Sequence, residues 1–236
     1  GVVHISKGDY KKAIKMIADE NGFLYPQIDE TLCINCGLCK KTCPVLEKKN
    51  KNTLEPTVYA GWSRDEENRN KSTSGGIFFE LGKIILQENG YVVGAKYNAQ
   101  NLVEHAITNT IEGLNELRQS KYVQSNTKDI FKEVKKRLEE GCKIGFAGSP
   151  CQVAALYNFL KKEYENLLTI EFICRGMNSP KAYEAWLKEI ESIENKKVCK
   201  VWFKYKNNGW KESPRCTRVD FEDGSFKVID GKKDCD

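Results

Sequence analysis

The chain has 236 residues, a formal net charge of +5 and ten cysteines. That length can bury a real core, and it holds one large domain or a small one attached to a larger one. The charge is modest and scattered with no nucleic-acid stripe, no apolar run reaches membrane-spanning length, and the first residues do not read as a signal peptide.

Residues 1–56 read as a small polar module. Phe23-Leu24-Tyr25-Pro26 and Ile28 suggest a short hairpin. It leads into Cys33-Ile34-Asn35-Cys36-Gly37-Leu38-Cys39-Lys40-Lys41-Thr42-Cys43-Pro44, the spacing of a bacterial ferredoxin run. Three cysteines at three-residue intervals wrap one short turn around three corners of a cubane cluster. Gly37 lets the backbone approach it, and Pro44 ends the loop. A disulfide or a zinc knuckle is the alternative, but zinc sites favour paired C-x-x-C units well separated in sequence. The expected metal-binding residues are Cys33, Cys36, Cys39 and Cys43, with the first three on one [4Fe–4S] cluster. In two-cluster ferredoxins the fourth cysteine serves the other cluster, so Cys43 is expected to turn away. A twin run would end near residues 4–8, where the chain reads His4-Ile5-Ser6-Lys7-Gly8. Residues 10–16 still resemble the strand that follows such a run, and a lost or truncated first half is expected. The remaining cysteines are far apart in an ordinary α/β pattern, so cytosolic metal and redox use, in a cytoplasmic protein, is preferred to a disulfide framework.

Residues 47–56, with Lys48-Lys49-Asn50-Lys51, read as a solvated linker. The fold class expected overall is α/β (α+β mixed): a ferredoxin-like module over 1–56, then a mixed α/β domain with a parallel sheet segment over 57–236. Val58-Tyr59-Ala60-Gly61-Trp62 reads as the first strand of the second domain, and 63–71 as a charged loop. Ser72-Thr73-Ser74-Gly75-Gly76 precedes apolar residues at 77, 78, 81, 84 and 85, which is helical spacing, and Gly90 stops that helix. Residues 91–95 and 105–108 read as partnered strands, 111–118 as helix, and 128–140 as a helix capped by Asn126 or Thr127 and closed by Gly141. Two strand–turn–helix units follow. Strand 143–147 breaks at Gly148-Ser149-Pro150-Cys151 before a helix over 152–162; strand 167–173 breaks at Cys174-Arg175-Gly176 before a helix starting at Ser179-Pro180. Repeated in this way, they predict parallel strands with ligands at their carboxyl ends. Residues 198–205 and 217–221 alternate as strands, with a hairpin turn at 222–225.

Four motifs in order, Ser72 to Gly76, Lys121-Tyr122-Val123-Gln124-Ser125, Gly148-Ser149-Pro150-Cys151-Gln152 and Ile173-Cys174-Arg175-Gly176, resemble the coenzyme F420 hydrogenase/dehydrogenase beta subunit family, with the cysteine run ahead of them as in that family. The resemblance implies an iron–sulfur flavoprotein that passes electrons between a [4Fe–4S] cluster and FAD. It would oxidise or reduce a two-electron carrier or substrate, with a redox partner protein or small electron carrier. The family's deazaflavin is not implied for every member. Two departures stand out: one ferredoxin run where the family has two, and Arg175 where many members have His. The family also continues beyond position 236, so a C-terminally incomplete chain is expected.

The candidate cofactor-binding residues are Ser72, Thr73, Ser74, Gly75, Gly76, Lys121, Gly148, Ser149 and Arg175. Hydroxyls and free N–H groups at a helix start suit a pyrophosphate, and a well-capped helix explains the same residues. No G-x-G-x-x-G fingerprint is present. Lys121 suits a phosphate or a reduced flavin, or is a surface lysine; Arg175 holds an anion or a structural salt bridge. Cys151 and Cys174 are the candidate catalytic residues. Cys151 stands in a first helical turn beside unpaired N–H groups, and adjacent strands would bring Cys174 into the same crevice; the alternative is that Cys151 packs the turn. Cys142, Cys199 and Cys216 are expected to be buried small hydrophobes, and Cys235 and the two histidines carry no motif. The rival functions are an electron-transfer module that docks to a catalytic partner, and a non-catalytic remnant.

Overall fold

The computed structural model describes residues 13–46, 55–206, 209 and 216–230. The possible twin run at 4–8, most of the linker and Cys235 lie outside them.

The small module opens with the expected hairpin. β1 (Ile14–Ala18) and β2 (Leu24–Ile28) pair antiparallel, Ile14 opposite Ile28. The Asp19 carboxylate accepts from the N–H groups of Asn21 and Phe23 and closes the turn. Asp29 ends the hairpin by accepting from the Thr31 hydroxyl at 2.6 Å, and its backbone carbonyl accepts from Cys33. The cysteine run therefore starts from a fixed turn. It continues into α1 (Leu38–Thr42).

The main body is a four-stranded sheet in the order β4-β3-β5-β6. β3 (Tyr91–Tyr97) pairs antiparallel with β4 (Val103–Thr108) on one flank and parallel with β5 (Ile144–Gly148) on the other. β5 pairs parallel with β6 (Leu167–Glu171). Strands buried on both faces read as continuous apolar runs, and Val92 and Val93 are both fully buried on opposite faces. Val93, Ile144 and Phe146 pack against α5 (Ile130–Glu139) and α6 (Pro150–Leu160) through Phe131, Val134, Val153 and Leu156. Val92 packs on the other face against α3 (Ile77–Gln87) and α4 (Ile111–Leu117) through Phe79, Ile85 and Leu114. α3 and α4 approach closely at Gly82, where an added Cβ would stand 2.6 Å from a Leu114 methyl. A third core joins α7 (Pro180–Glu194) to an antiparallel sheet of β7 (Val198–Tyr205), β8 (Cys216–Phe221) and β9 (Phe226–Asp230), through Tyr183, Leu187, Val201 and Val219. This is the mixed α/β architecture with a parallel segment that the motif order predicts.

Four local expectations fail. Residues 58–62 pair with no strand among the described residues. A β-branched and aromatic run needs an edge to pair with, and here only Ser63 N–H donates, at 2.7 Å, to the Gly75 carbonyl. Val58 and Tyr59 are 87% and 86% exposed. Residues 63–71 are not all loop: α2 (Glu66–Lys71) forms behind Asp65, whose carboxylate caps Asn68 N–H. α5 begins after Asp129, with Lys128 in a left-handed conformation, so neither Asn126 nor Thr127 is its cap. Similarly, β6 stops at Glu171 because its partner β5 ends at Gly148.

α2 is tied to the start of α3 by Asn68, which is 2% exposed. Its amide donates to Glu80 at 2.6 Å and to the Gly76 carbonyl, and accepts from Arg118 at 2.5 Å and from the Ser72 hydroxyl. Asn68→Ala leaves a buried guanidinium and a carboxylate short of partners. It is expected to cost about 2–3 kcal/mol in urea unfolding, with α3 itself retained by circular dichroism.

Candidate functional site

The cysteine loop is wound by two left-handed residues, Asn35 (φ 52°) and Gly37 (φ 68°), which reverse the chain between Cys33 and α1. All four thiols are free; Cys36 is exposed and the other three are half-buried. That donor chemistry fits an iron–sulfur cluster. Among the described residues no three Cys, His, Asp or Glu side chains converge as a metal site, so ligation requires the thiols to turn inward together. The loop is not loose on the body. Thr42 is buried, and its carbonyl accepts from the amide of Asn158 on α6 at 3.3 Å. The hairpin is held separately. Asn21 O accepts from the Ser179 hydroxyl at 2.8 Å and from Lys181 N–H at the start of α7, and the Gln124 amide meets both backbone groups of Leu24.

The carboxyl edge of the sheet gathers three helix starts. α6 and α7 follow β5 and β6, and α3 runs back along β3, so its first turn returns towards the same edge. Ser149 is 2% exposed and forms a capping box: the Gln152 side chain accepts from Ser149 N–H at 3.0 Å, and the Ser149 hydroxyl caps the first turn. Cys151 is exposed in that turn, 3.1 Å from the Ser149 hydroxyl. Gly148 is paired in register with Glu171, so Cys151 and Cys174 each stand three residues beyond a matched pair of strand ends. Cys174 and Arg175 are exposed, and Gly176 takes φ 122°. The topology thus brings both thiols and Arg175 to one edge, as the strand order demands.

The Ser72–Gly76 segment is a helix start, with Gly76 (φ 86°) as the N-cap of α3. Its hydroxyls, however, are committed to the protein. Ser72 accepts from Arg118 at 2.8 Å, and Thr73 accepts from Ser120 N–H at 3.0 Å. At Gly75 the space for a side chain is filled by the backbone of Gly61 and Trp62, a packing reason for glycine. Lys206 donates to the carbonyls of Arg69, Ser72 and Ser74 at 2.7, 2.6 and 3.3 Å. Lys121 is likewise inward. Its ammonium donates to the carbonyls of Glu116, Leu117 and Arg118 at 3.0, 3.2 and 2.7 Å, closing the end of α4. Burial, and then the charge of Lys200, push its pKa down to about 7. Ser72, Thr73 and Lys121, expected at the cofactor phosphates, each bond within the protein: Ser72 with Arg118, Thr73 with Ser120, and Lys121 with the end of α4. Cys199 is corrected: it is exposed on β7, because it points away from the core that Val198 and Val201 enter.

A residue without a motif holds the centre. His105 on β4 is 6% exposed and stacks on Phe146, ring centroids 5.7 Å apart. Its Nε2 lies 3.3 Å from the Ala147 carbonyl and its Nδ1 2.6 Å from the Ser125 hydroxyl. A carbonyl only accepts, so Nε2 carries the proton and Nδ1 accepts from Ser125. Burial, with a further push from Lys121, lowers its pKa to about 4. Lone histidines give no sequence signal; only the spacing of Ser125 within the 121–125 motif points to a partner.

Comparison with known proteins fits this layout. Residues 141–232 match the family model for the C terminus of the coenzyme F420 hydrogenase/dehydrogenase beta subunit, and residues 26–46 match the 4Fe-4S binding domain. The first of these segments contains both strand-end turns and all of the β7–β9 sheet, and residues 26–46 contain the whole cysteine run. A chain of the F420-reducing [NiFe] hydrogenase complex from Methanosarcina barkeri is similar in structure at 19% identity and a TM-score of 0.47, over 74% of this chain and 60% of that one. No curated protein matches the chain. No helix among the described residues is long and apolar enough to cross a membrane.

His105 and Lys121 each carry a testable consequence. His105 titrates near 6.5 when unfolded and near 4 when folded, so the folded chain resists its protonation. Stability is therefore full above about pH 6.5 and falls as the pH drops towards 4, by at most ~3 kcal/mol from this group. His105→Gln removes that slope in urea midpoints measured across the window. With only two histidines in the chain, NMR titration assigns the group directly. Lys121→Met is expected to lower stability by about 1–2 kcal/mol in urea unfolding through the frayed end of α4; an unchanged midpoint would mean that its bonds to the α4 carbonyls do not hold that end.

Proposed function

We propose that the chain is the electron-transferring part of an iron–sulfur flavoprotein oxidoreductase. Cys33, Cys36 and Cys39 hold a [4Fe–4S] cluster. FAD lies along the carboxyl edge of the sheet, near Ser74, Gly75, Gly76, Gly148, Ser149 and Arg175, with Cys151 and Cys174 facing it. The cluster moves single electrons and the flavin joins them into a two-electron transfer to a carrier or substrate. The protein residues orient these groups. Helix starts and the exposed Arg175 guanidinium favour the anionic part of the flavin, and the capped turn at Ser149 fixes where Cys151 stands.

The observation that carries this reading is the sharing of α6. Thr42, next to Cys43, docks on Asn158 near one end of the helix, and Cys151 stands at its other end. Their helix positions are about 10 Å apart along the axis, so one rigid element connects the cluster loop with the strand-end crevice. The two-module division, 1–56 and 57–236, is part of the same proposal. A second reading, a module that serves a separate catalytic partner, is favoured by the apolar side chains at the strand-end face, where Phe172 and Ile173 are 57% and 93% exposed.

The test is anaerobic reconstitution with counts of iron, sulfide and flavin, low-temperature EPR of the reduced protein, and titration with FAD. Cys36→Ala is expected to abolish the cluster signal, Cys43→Ala to retain it, and Arg175→Ala to weaken FAD binding about tenfold, as for a lost charge-assisted hydrogen bond. A chain that retains neither iron nor FAD removes the proposal. Turnover of a small substrate without an added protein separates the first reading from the second.

A further inference from the structure

We infer that His105 is a positioning residue: its neutral ring fixes the last turn of β5 and so sets the place of Cys151. The pairing pattern shows why one is needed. Ile144 N–H donates towards β6, to Asn166, while the Lys143 carbonyl accepts from Tyr91 at the foot of β3. Alternate residues of a strand turn their backbone groups to alternate flanks, so Ala147, like Lys143 and Gly145, faces the β3 flank. The ladder to β3 ends at Phe146, whereas the ladder to β6 runs to Gly148. The Ala147 carbonyl is therefore the first acceptor on the β3 flank beyond the ladder. This half-buried carbonyl, left without a strand partner on that flank, is met by a side-chain donor.

His105 supplies it from β4, across β3. Its register partner on β3 is Ala95, and the ring stacks on Phe146. The donor is available only in one tautomer. Ser125 selects that tautomer by donating to Nδ1. The link joins four pieces: β4, the 121–125 segment, the end of β5, and through Gly148 and Ser149 the first turn of α6. Only this last piece carries an exposed thiol. A positioning role for His105 towards cofactor chemistry rests on the function proposed above; its effect on the β5 end does not.

The experiment compares His105→Phe, which keeps a ring on Phe146 but neither hydrogen bond, with His105→Gln, whose amide can donate to Ala147 and accept from Ser125. The readouts are amide hydrogen exchange over residues 147–149 and the rate of Cys151 alkylation by iodoacetamide, with Cys199 as the exposed reference thiol. His105→Phe is expected to speed exchange there roughly fivefold, the opening that loss of one hydrogen bond permits, and to change the Cys151 rate but not the Cys199 rate. Rescue of both readouts by His105→Gln is expected. Nitrogen-15 shifts of the His105 ring should report protonation at Nε2 alone. Unchanged exchange and alkylation in His105→Phe, or an Nδ1-protonated ring, overturns the inference. Failure of His105→Gln to rescue also overturns it, since that marks a packing role. If His105→Phe does not fold, Ser125→Ala is read in its place: local loosening at 147–149 supports the inference, and its absence overturns it. None of these readouts needs a cofactor. A positive result in a chain that binds no FAD therefore sinks the proposed function and leaves the positioning intact.

Discussion

β5 has parallel partners on both flanks, and the rest of the body is arranged around that fact. A strand in this position has no solvent face, which is why Ile144, Gly145 and Phe146 are all buried. It needs helices on both sides, supplied by α5 and α6 on one face and α3 on the other. It also needs every backbone group accounted for where its neighbours stop. Because the two ladders end at different residues, the chain leaves the sheet in steps. Ala147 is satisfied by a side chain, Ser149 by the capping box, and α6 can then begin. The strand-end turn is thus an outcome of sheet closure before it is a site.

The small module has little core of its own: Ile17, Tyr25 and Ile28 of the hairpin are exposed. A two-stranded hairpin is marginal by itself in water. Its fixation comes from polar contacts with the body, through Asn21 on the start of α7, Leu24 on Gln124 and Thr42 on Asn158. Each such bond contributes on the order of 1 kcal/mol, so the loop is steered more than it is clamped. That suits a loop whose thiols would have to reorient to hold the proposed cluster.

Elements with a strong local signal were legible in the sequence. The periodicity of α3, the caps of α6 and α7, the Asp223-Gly224 turn and the order of the parallel strands all rest on neighbouring residues. What was not legible depends on partners far along the chain. Residues 58–62 have strand chemistry but no edge, and nothing local says so. The 121–125 motif looked like ligand chemistry around Lys121, yet its side chains serve long-range structural ends. Lys121 closes α4, Val123 enters the third core, Gln124 holds the hairpin and Ser125 fixes the histidine. The cysteine run was readable because cluster ligation is written in spacing alone.

The bonds that Ser72 and Thr73 make within the protein do not empty the α3 start of anion chemistry, because cations lie behind it. Arg118 and Lys206 stand behind the turn, bonded to the Ser72 hydroxyl and carbonyl, and Arg69 donates to the Ser63 carbonyl. Asp65, Glu67 and Glu80 attract Arg118, and Glu80 also pairs with Lys83 at 2.7 Å. Desolvation, then Arg118 and Arg69, lower the Lys206 pKa to about 8, so this group is held cationic at neutral pH against its surroundings. An anion on the outer side of Ser74–Gly76 would partly offset that positive charge. Such an attraction acts through space and needs no hydroxyl contact. The proposed flavin phosphates would then meet the field of these cations and of the α3 start, with the hydroxyls of Ser72 and Thr73 given over to structure.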